Sequence, residues 1–294
     1  MEKIQLVKRR VLMSNDGWTE LVPTVAKPVV YAYKYRHAIH EQWVKALVKL
    51  GKGSTDVIVT GRPGAGKSVL AAHYHGEANS LDWKLPEPSA DVEIKPITIG
   101  DWTKIVSVIP GQSGTERSKA LDTALNSTDS LEGIIHVVDW GYTAVRDDAI
   151  RMSMIEGKGL DTISKVREHN LDLELQEFKR LLETVKLAIS NGRGPKWIAI
   201  AVNKVDLYES NISEAKKYYH PECGSVFAEV IKELYETVGS TNVKVLSMPV
   251  CAQPEAFEWN EEKVAPQIDS VMKQRNYLRV FVDNMALLQL STEK

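Results

Sequence analysis

The sequence predicts an α/β fold, a three-layer sandwich with a mostly parallel central sheet. Three observations point there. Short, almost wholly apolar runs recur between residues 57 and 248. Helical patterns separate most of them. The strongest helix, 171–190, repeats Leu171, Leu175, Phe178, Leu182, Val185 and Ile189 at three- and four-residue spacing. Unbroken apolar strands need cover on both faces, and parallel neighbours need crossovers long enough to hold a helix.

The elements follow in order. Residues 1–54 read as a lead-in: an extended stretch at 21–35, then a helix at 38–50 closed by Gly51 and Gly53. The main domain, 55–294, opens with a strand at 57–59 and a helix at 68–79. Residues 92–99 and 102–109 read as two strands joined tightly around Gly100 and Asp101. The run 134–138 is an apolar strand broken only by His136. Residues 142–170 are charged and weakly periodic, and read as an insertion after the fourth strand with a short helix near 146–155. Beyond the long helix come a strand at 197–202, helices at 212–219 and 225–238, and a strand at 243–248. The tail, 261–290, reads as mostly helical. Its apolar face, with Leu278, Val280, Phe281 and Met285, is expected to pack on its own domain.

Composition narrows the function classes. Hydrophobic residues make up 43% and charged residues 26%, an ordinary globular balance. The formal net charge of −2 gives no bulk signal for nucleic acid or an anionic membrane. The seven tryptophans form no stripe of the kind that stacks bases. Two cysteines, Cys223 and Cys251, imply no disulfide framework and suit a reducing compartment. No apolar run approaches the roughly 20 residues of a membrane span. The first residues lack a signal-peptide core, and neither terminus carries a lipidation box. The expectation is a cytoplasmic protein with no transmembrane segment.

One motif carries explicit chemistry. Gly61-Arg62-Pro63-Gly64-Ala65-Gly66-Lys67-Ser68 matches G-x-x-x-x-G-K-[ST] in full, between a strand and a helix. Small residues let backbone N–H groups close around phosphate oxygens, and the helix adds its positive end. The loop from Gly61 through Gly64, Ala65 and Gly66, with Val69 in the first helical turn, is thus a phosphate cradle. Lys67 is placed to reach the β- and γ-phosphates, and Ser68 to ligate Mg2+. The predicted fold is accordingly a P-loop NTPase sandwich.

Downstream, Asn203-Lys204-Val205-Asp206 follows the 197–202 strand. It resembles the N-K-x-D motif of the Ras-like, Arf-like and translation-factor-related GTPase superclass. The resemblance implies that Asp206 accepts hydrogen bonds from guanine N1 and N2, a donor pair adenine lacks. It makes Asn203 the support of that contact and lays the Lys204 stem along the base. Cys251-Ala252 sits where the family has a Ser-Ala-type loop, so Ala252 is expected to offer its N–H to guanine O6. Pro110-Gly111-Gln112 resembles the D-x-x-G-Q segment, which implies a γ-phosphate contact from Gly111 and a water-orienting role for Gln112. Val108 stands where that segment has its aspartate, which bears on metal affinity and hydrolysis rate. By position Ser89 corresponds to the switch hydroxyl that joins Ser68 on Mg2+, with Thr98 as the alternative. Asp139 ends an apolar strand; it reads as structural, as in Arf-like proteins, or as a Walker B acid. Arg62 and Arg117 are candidate charge-neutralising arginines.

Together these motifs span about residues 55–255 in the family's order. They imply a guanine-nucleotide switch that hydrolyses GTP to GDP and phosphate with Mg2+. Gln112 and Lys67 would be the catalytic residues, and a protein partner would read the loops near 85–98 and 110–128. Two alternatives stand beside it: a GTP-binding interaction module that does not hydrolyse, and a P-loop ATPase or kinase using Asp139 as its acid.

Overall fold

Six strands form one sheet: β1 (Val57–Gly61), β2 (Glu93–Ile99), β3 (Trp102–Val108), β4 (Gly133–Val138), β5 (Trp197–Val202) and β6 (Lys244–Pro249). The computed structural model describes Trp18 and residues 57–75, 93–99, 102–109, 123, 125 and 131–290. The readings made for the rest of the lead-in and for Ser89, Gly111, Gln112 and Arg117 lie outside the described residues. The strand order is β2-β3-β1-β4-β5-β6. All neighbours run parallel except β2, which is antiparallel to β3 with Ile99 opposite Trp102. The mostly parallel sheet expected from the apolar runs is therefore present.

The helices are α1 (Lys67–His75), α2 (Asp148–Met152), α3 (Ile163–Ser190), α4 (Ile212–Tyr219), α5 (Val226–Val238) and α6 (Val271–Leu290). Strand alternation sorts them into two layers. Ile58, Ile134, Ile198, Ile200 and Val202 face one side, where Phe178, Leu182, Val185, Phe227 and Ile231 of α3 and α5 cover them. Val57, Val59, Ile135, Val137, Ala199 and Ala201 face the other, against Leu70 and Ala71 of α1 and Phe281 and Met285 of α6. The small Ala199 and Ala201 leave room for the large side chains of α6. Each large apolar side chain so buried contributes about 1.5–3 kcal/mol before entropy. Trp18 from the lead-in reaches this body, its indole N–H donating to Ser247 Oγ at 3.1 Å.

Two sequence readings need correction. The long helix begins at Ile163, not 171: the Thr162 hydroxyl caps it by accepting from Lys165 N at 3.4 Å. Its first two turns bury Val166 and Asn170, and the surrounding charges hid that face. The connection after β4 is correspondingly shorter. It holds α2 and a wide π-type turn, Ser153–Gly157. The tail is helical only from Val271. Before it lies a hairpin, β7 (Phe257–Trp259) and β8 (Glu262–Val264). Strands of three residues are too short to leave a period in the sequence. Asn260 turns the hairpin with φ 53°, a left-handed value that asparagine tolerates better than most residues. The hairpin grips the start of α3: Trp259 Nε1 donates to Leu160 O at 2.6 Å and Ile163 N to Glu262 Oε2 at 2.6 Å.

Parallel strands bring one kind of end to one edge. Gly61, Asp139, Asn203 and Val250, at or just beyond the carboxyl ends of β1, β4, β5 and β6, therefore line one rim. Ligands of open α/β sheets bind at this rim.

Candidate nucleotide-binding site

The phosphate loop leaves β1 at Gly61 and enters α1 at Lys67. Gly64 and Gly66 adopt φ values of 80° and 93°. A Cβ on Gly66 would lie 2.3 Å from Asn203 Nδ2, and one on Gly64 would lie 2.4 Å from the Ala144 carbonyl oxygen. The loop needs glycine at both positions for conformation and for space. Lys67 is 7% exposed, and its ammonium donates to Gly61 O at 2.8 Å and to Arg62 O at 2.9 Å. A compact cation thus spans the loop, beside the N–H groups of the first turn of α1.

Across the rim from that loop, Asn203 N extends the ladder by donating to Val138 O at 2.7 Å. Its side-chain amide then works in two directions. Nδ2 donates to Ala65 O at 2.9 Å, and Oδ1 accepts from Ala252 N at 3.0 Å. One buried amide therefore holds the phosphate loop and the 251–252 loop together. Asp206 sits in a short 3-10 turn, Val205–Leu207. Its carboxylate accepts from Glu255 N at 3.0 Å and from Cys251 Sγ at 3.5 Å. Burial pushes the Asp206 carboxyl above its ordinary value, against the pull of those bonds. Burial pushes the Cys251 thiol up further, with the nearby Asp206 charge adding to it, so this cysteine is an unreactive packing group. The Ala252 N–H, expected to face the base, is engaged here by Asn203.

The lysine of the motif points elsewhere than its neighbours. Lys204 takes a left-handed φ of 59°. Its ammonium pairs with Asp139 Oδ2 at 2.8 Å and donates to the Tyr142 carbonyl. Asp139 is fully buried, and its other oxygen accepts from Thr143 Oγ1 at 2.8 Å. Thr143 in turn accepts from Arg62 at 3.3 Å. Arg62 also donates to Asn170 O at 3.2 Å and Asn170 Oδ1 at 3.1 Å, which turns this phosphate-loop guanidinium toward α3. Arg167 closes the turn after Asp139 from outside, its guanidinium 4.3 Å from the ring centres of both Trp140 and Tyr142.

A second acid lies beneath. Glu174 of α3 accepts from Gly141 N at 3.0 Å and Asp139 N at 3.4 Å, and the Tyr219 hydroxyl donates to its other oxygen. Burial, then the charge of Asp139, pushes Glu174 well above the usual carboxyl range. Burial also acts to raise Asp139, but the Lys204 charge and the bonds from Glu174, Lys204 and Thr143 outweigh it and hold Asp139 low. The two carboxyls are thus pushed in opposite directions, Glu174 toward its protonated form and Asp139 toward its ionised form.

The fold brings the residues expected from the sequence, Gly61 to Ser68, Asn203, Lys204, Asp206, Cys251 and Ala252, to one rim. Sequence reasoning missed Thr143, Asn170 and Glu174. The four-residue spacing of Asn170 and Glu174 was a legible signal that they share a helix face. Val108 is 2% exposed and packs among Val57, Val59 and Ile135. Among the described residues no group of three or more His, Cys, Asp or Glu could hold a metal.

No family model matches the sequence, and no curated protein matches it. Solved structures that resemble the fold include the signal recognition particle receptor SRb bound to GDP from Chaetomium thermophilum. It shares 13% identity over 79% of this chain and 97% of that one, with a TM-score of 0.41. A GTP-binding protein from Sulfolobus solfataricus in complex with GDP shares 15% identity over 99% of this chain and 67% of its own, with a TM-score of 0.41. A small GTPase from Trypanosoma brucei with a bound nucleotide analogue shares 13% over 78% and 98%, with a TM-score of 0.35. Likenesses this distant do not say what the chain binds. Its own sheet order, the 61–68 loop between β1 and α1, and helices on both faces make it an α/β protein of the P-loop NTPase fold.

Proposed function

We propose that the chain binds guanine nucleotides and acts as a GTP–GDP switch, hydrolysing GTP to GDP and phosphate. The observation that carries the reading is the Asn203 bridge. It ties the phosphate loop to the 251–252 loop, and Asp206 accepts from Cys251 of that same loop and from Glu255 just beyond it. A nucleotide laid along this rim meets Lys67 at its phosphates and Asp206 at its base. Asp206 would accept from guanine N1 and N2 through the free lone pairs of its two oxygens. Adenine, with an acceptor at N1, would leave the carboxylate opposed by a lone pair.

For hydrolysis, Lys67 and the N–H groups of the loop would bear the phosphate charge. Gln112 would orient the attacking water and Gly111 would meet the γ-phosphate; both roles rest on the sequence. Ser68 and Ser89 would hold Mg2+, which when bound neutralises charge on the β- and γ-phosphates. A protein partner would read the loops near 85–98 and 110–128. No helix among the described residues is long and apolar enough to cross a membrane, and a cytoplasmic setting remains the expectation from cysteine usage.

A second reading is favoured by one observation. Val108 lies in an apolar cluster where the motif has a carboxylate, and Asp139 is committed to Lys204. On that reading the chain binds GTP and docks a partner without turning it over. Titration calorimetry with GTP, GDP and ATP, each with and without Mg2+, tests the shared core. Guanine nucleotides should bind at least about 100-fold tighter than ATP; equal binding would sink both readings and revive an ATPase. Single-turnover assays of bound GTP then separate the two: phosphate release faster than in free solution supports the switch.

A further inference from the structure

We infer that Asp139 is a positioning residue of the nucleotide site, acting through Lys204 rather than through a metal ion. The inference rests on the guanine-nucleotide reading of the same rim. Three observations converge on it. The Asp139 carboxylate is fully buried and both of its oxygens are engaged, one by Lys204 at 2.8 Å and one by Thr143 at 2.8 Å. The Lys204 ammonium is shared between Asp139 and the Tyr142 carbonyl, and its backbone is left-handed with φ 59°, so both ends of its aliphatic stem are placed. Thr143 also accepts from Arg62 of the phosphate loop. The path Arg62–Thr143–Asp139–Lys204 therefore joins the loop expected to cradle phosphate to the residue expected to line the base.

The chemistry favours this role over metal ligation. A carboxylate already neutralised by an ammonium has little charge left for Mg2+, and extracting it would leave the half-buried Lys204 without its counter-charge. Fixing a lysine stem before ligand arrives removes the cost of ordering a long, rotamer-rich side chain on binding. Asp139 thus sharpens nucleotide affinity without touching the nucleotide.

The test is equilibrium binding of a fluorescent GDP to the full chain in EDTA and in MgCl2. It uses wild type, Asp139→Asn, Lys204→Met and the double variant, with thermal melts to verify folding. Asp139→Asn should weaken GDP about tenfold, by the same factor in EDTA and in MgCl2. Added to Lys204→Met it should weaken GDP little further, because both changes remove one interaction. Unchanged affinity, loss confined to the MgCl2 arm, or additive losses would each overturn the inference. Where Asp139→Asn does not fold, Thr143→Val decides. It leaves both charges in place, and an Mg2+-independent loss of about threefold is expected; wild-type affinity would overturn the inference. Wild type that binds no GDP would instead sink the reading beneath it.

Discussion

The two sides of the rim are built differently. On the base side, Asn203, Asp206 and Ala252 are buried and cross-linked, each polar group answered by another from a different loop. On the side where a metal-assisted reaction would run, the strand that should end in an acid has Val108 packed among valines, and the nearest strand-end acid is spent on Lys204. The contrast teaches that recognition and hydrolysis are separable investments of the same fold. A buried hydrogen-bond network fixes which ligand enters. Turnover depends on charge placed where the γ-phosphate reacts.

The comparison breaks first at Asp206. Changing Asp206→Asn replaces one acceptor oxygen with a donor facing guanine N1 or N2. GTP and GDP affinity should fall about 100-fold or more, with ATP affinity little changed. Equal losses for both nucleotides in calorimetry would mean that the base side does not read guanine. Next is Asn203→Ala, which strands Ala65 O and Ala252 N without their partner. Thermal or urea unfolding should show about 2 kcal/mol lost in the ligand-free protein. Loss of GDP binding with no loss of stability would place Asn203 against the ligand rather than between the loops.

How far the sequence carried these sites depends on what the chemistry needs to be local. The 61–68 loop and Asn203 to Asp206 each lie in one short segment, so their spacing was legible in the sequence. The sheet was legible because every central strand is covered on both faces and must be apolar throughout. The Lys204–Asp139 pair was not, since its members lie 65 positions apart (204 − 139) and meet only when β4 and β5 align. The early start of α3 was hidden because its first two turns are mostly charged or polar and bury a polar group, Asn170, whose value is hydrogen bonding rather than hydrophobicity. The β7–β8 hairpin was too short to declare a period.

The hydrolysis side can be sharpened by Val108→Asp. Placing a carboxylate in that apolar cluster should cost about 2 kcal/mol in the ligand-free protein. Part of it should return with MgCl2 and GTP, if β3 ends beside the phosphates, since a ligand that binds only the folded state stabilises it. Melting curves with and without MgCl2 and GTP check this; destabilisation that Mg2+ and GTP leave untouched would mean that the end of β3 does not face the metal.

The smallest effect concerns the proton beneath the site. Glu174 is held well above the 4.5 of an ordinary glutamate by burial and by Asp139, so the folded protein keeps a proton that the unfolded chain releases. Stability linked to Glu174 is therefore fully present below about pH 4.5 and is lost as pH rises toward the folded-state value. Asp139 works in the opposite sense in a lower window: its contribution is present above 3.8 and is lost as acid approaches its depressed folded value. The windows do not overlap, so urea denaturation at rising pH above about 4.5 reads Glu174 alone of the pair. Glu174→Gln keeps the shape, accepts from Gly141 N as before and cannot ionise. It should flatten the fall in stability across that range and raise the urea midpoint at its upper end. A variant with the wild-type slope would mean that Glu174 is ionised in the folded protein, leaving the Asp139–Lys204 pair to bear a second buried negative charge.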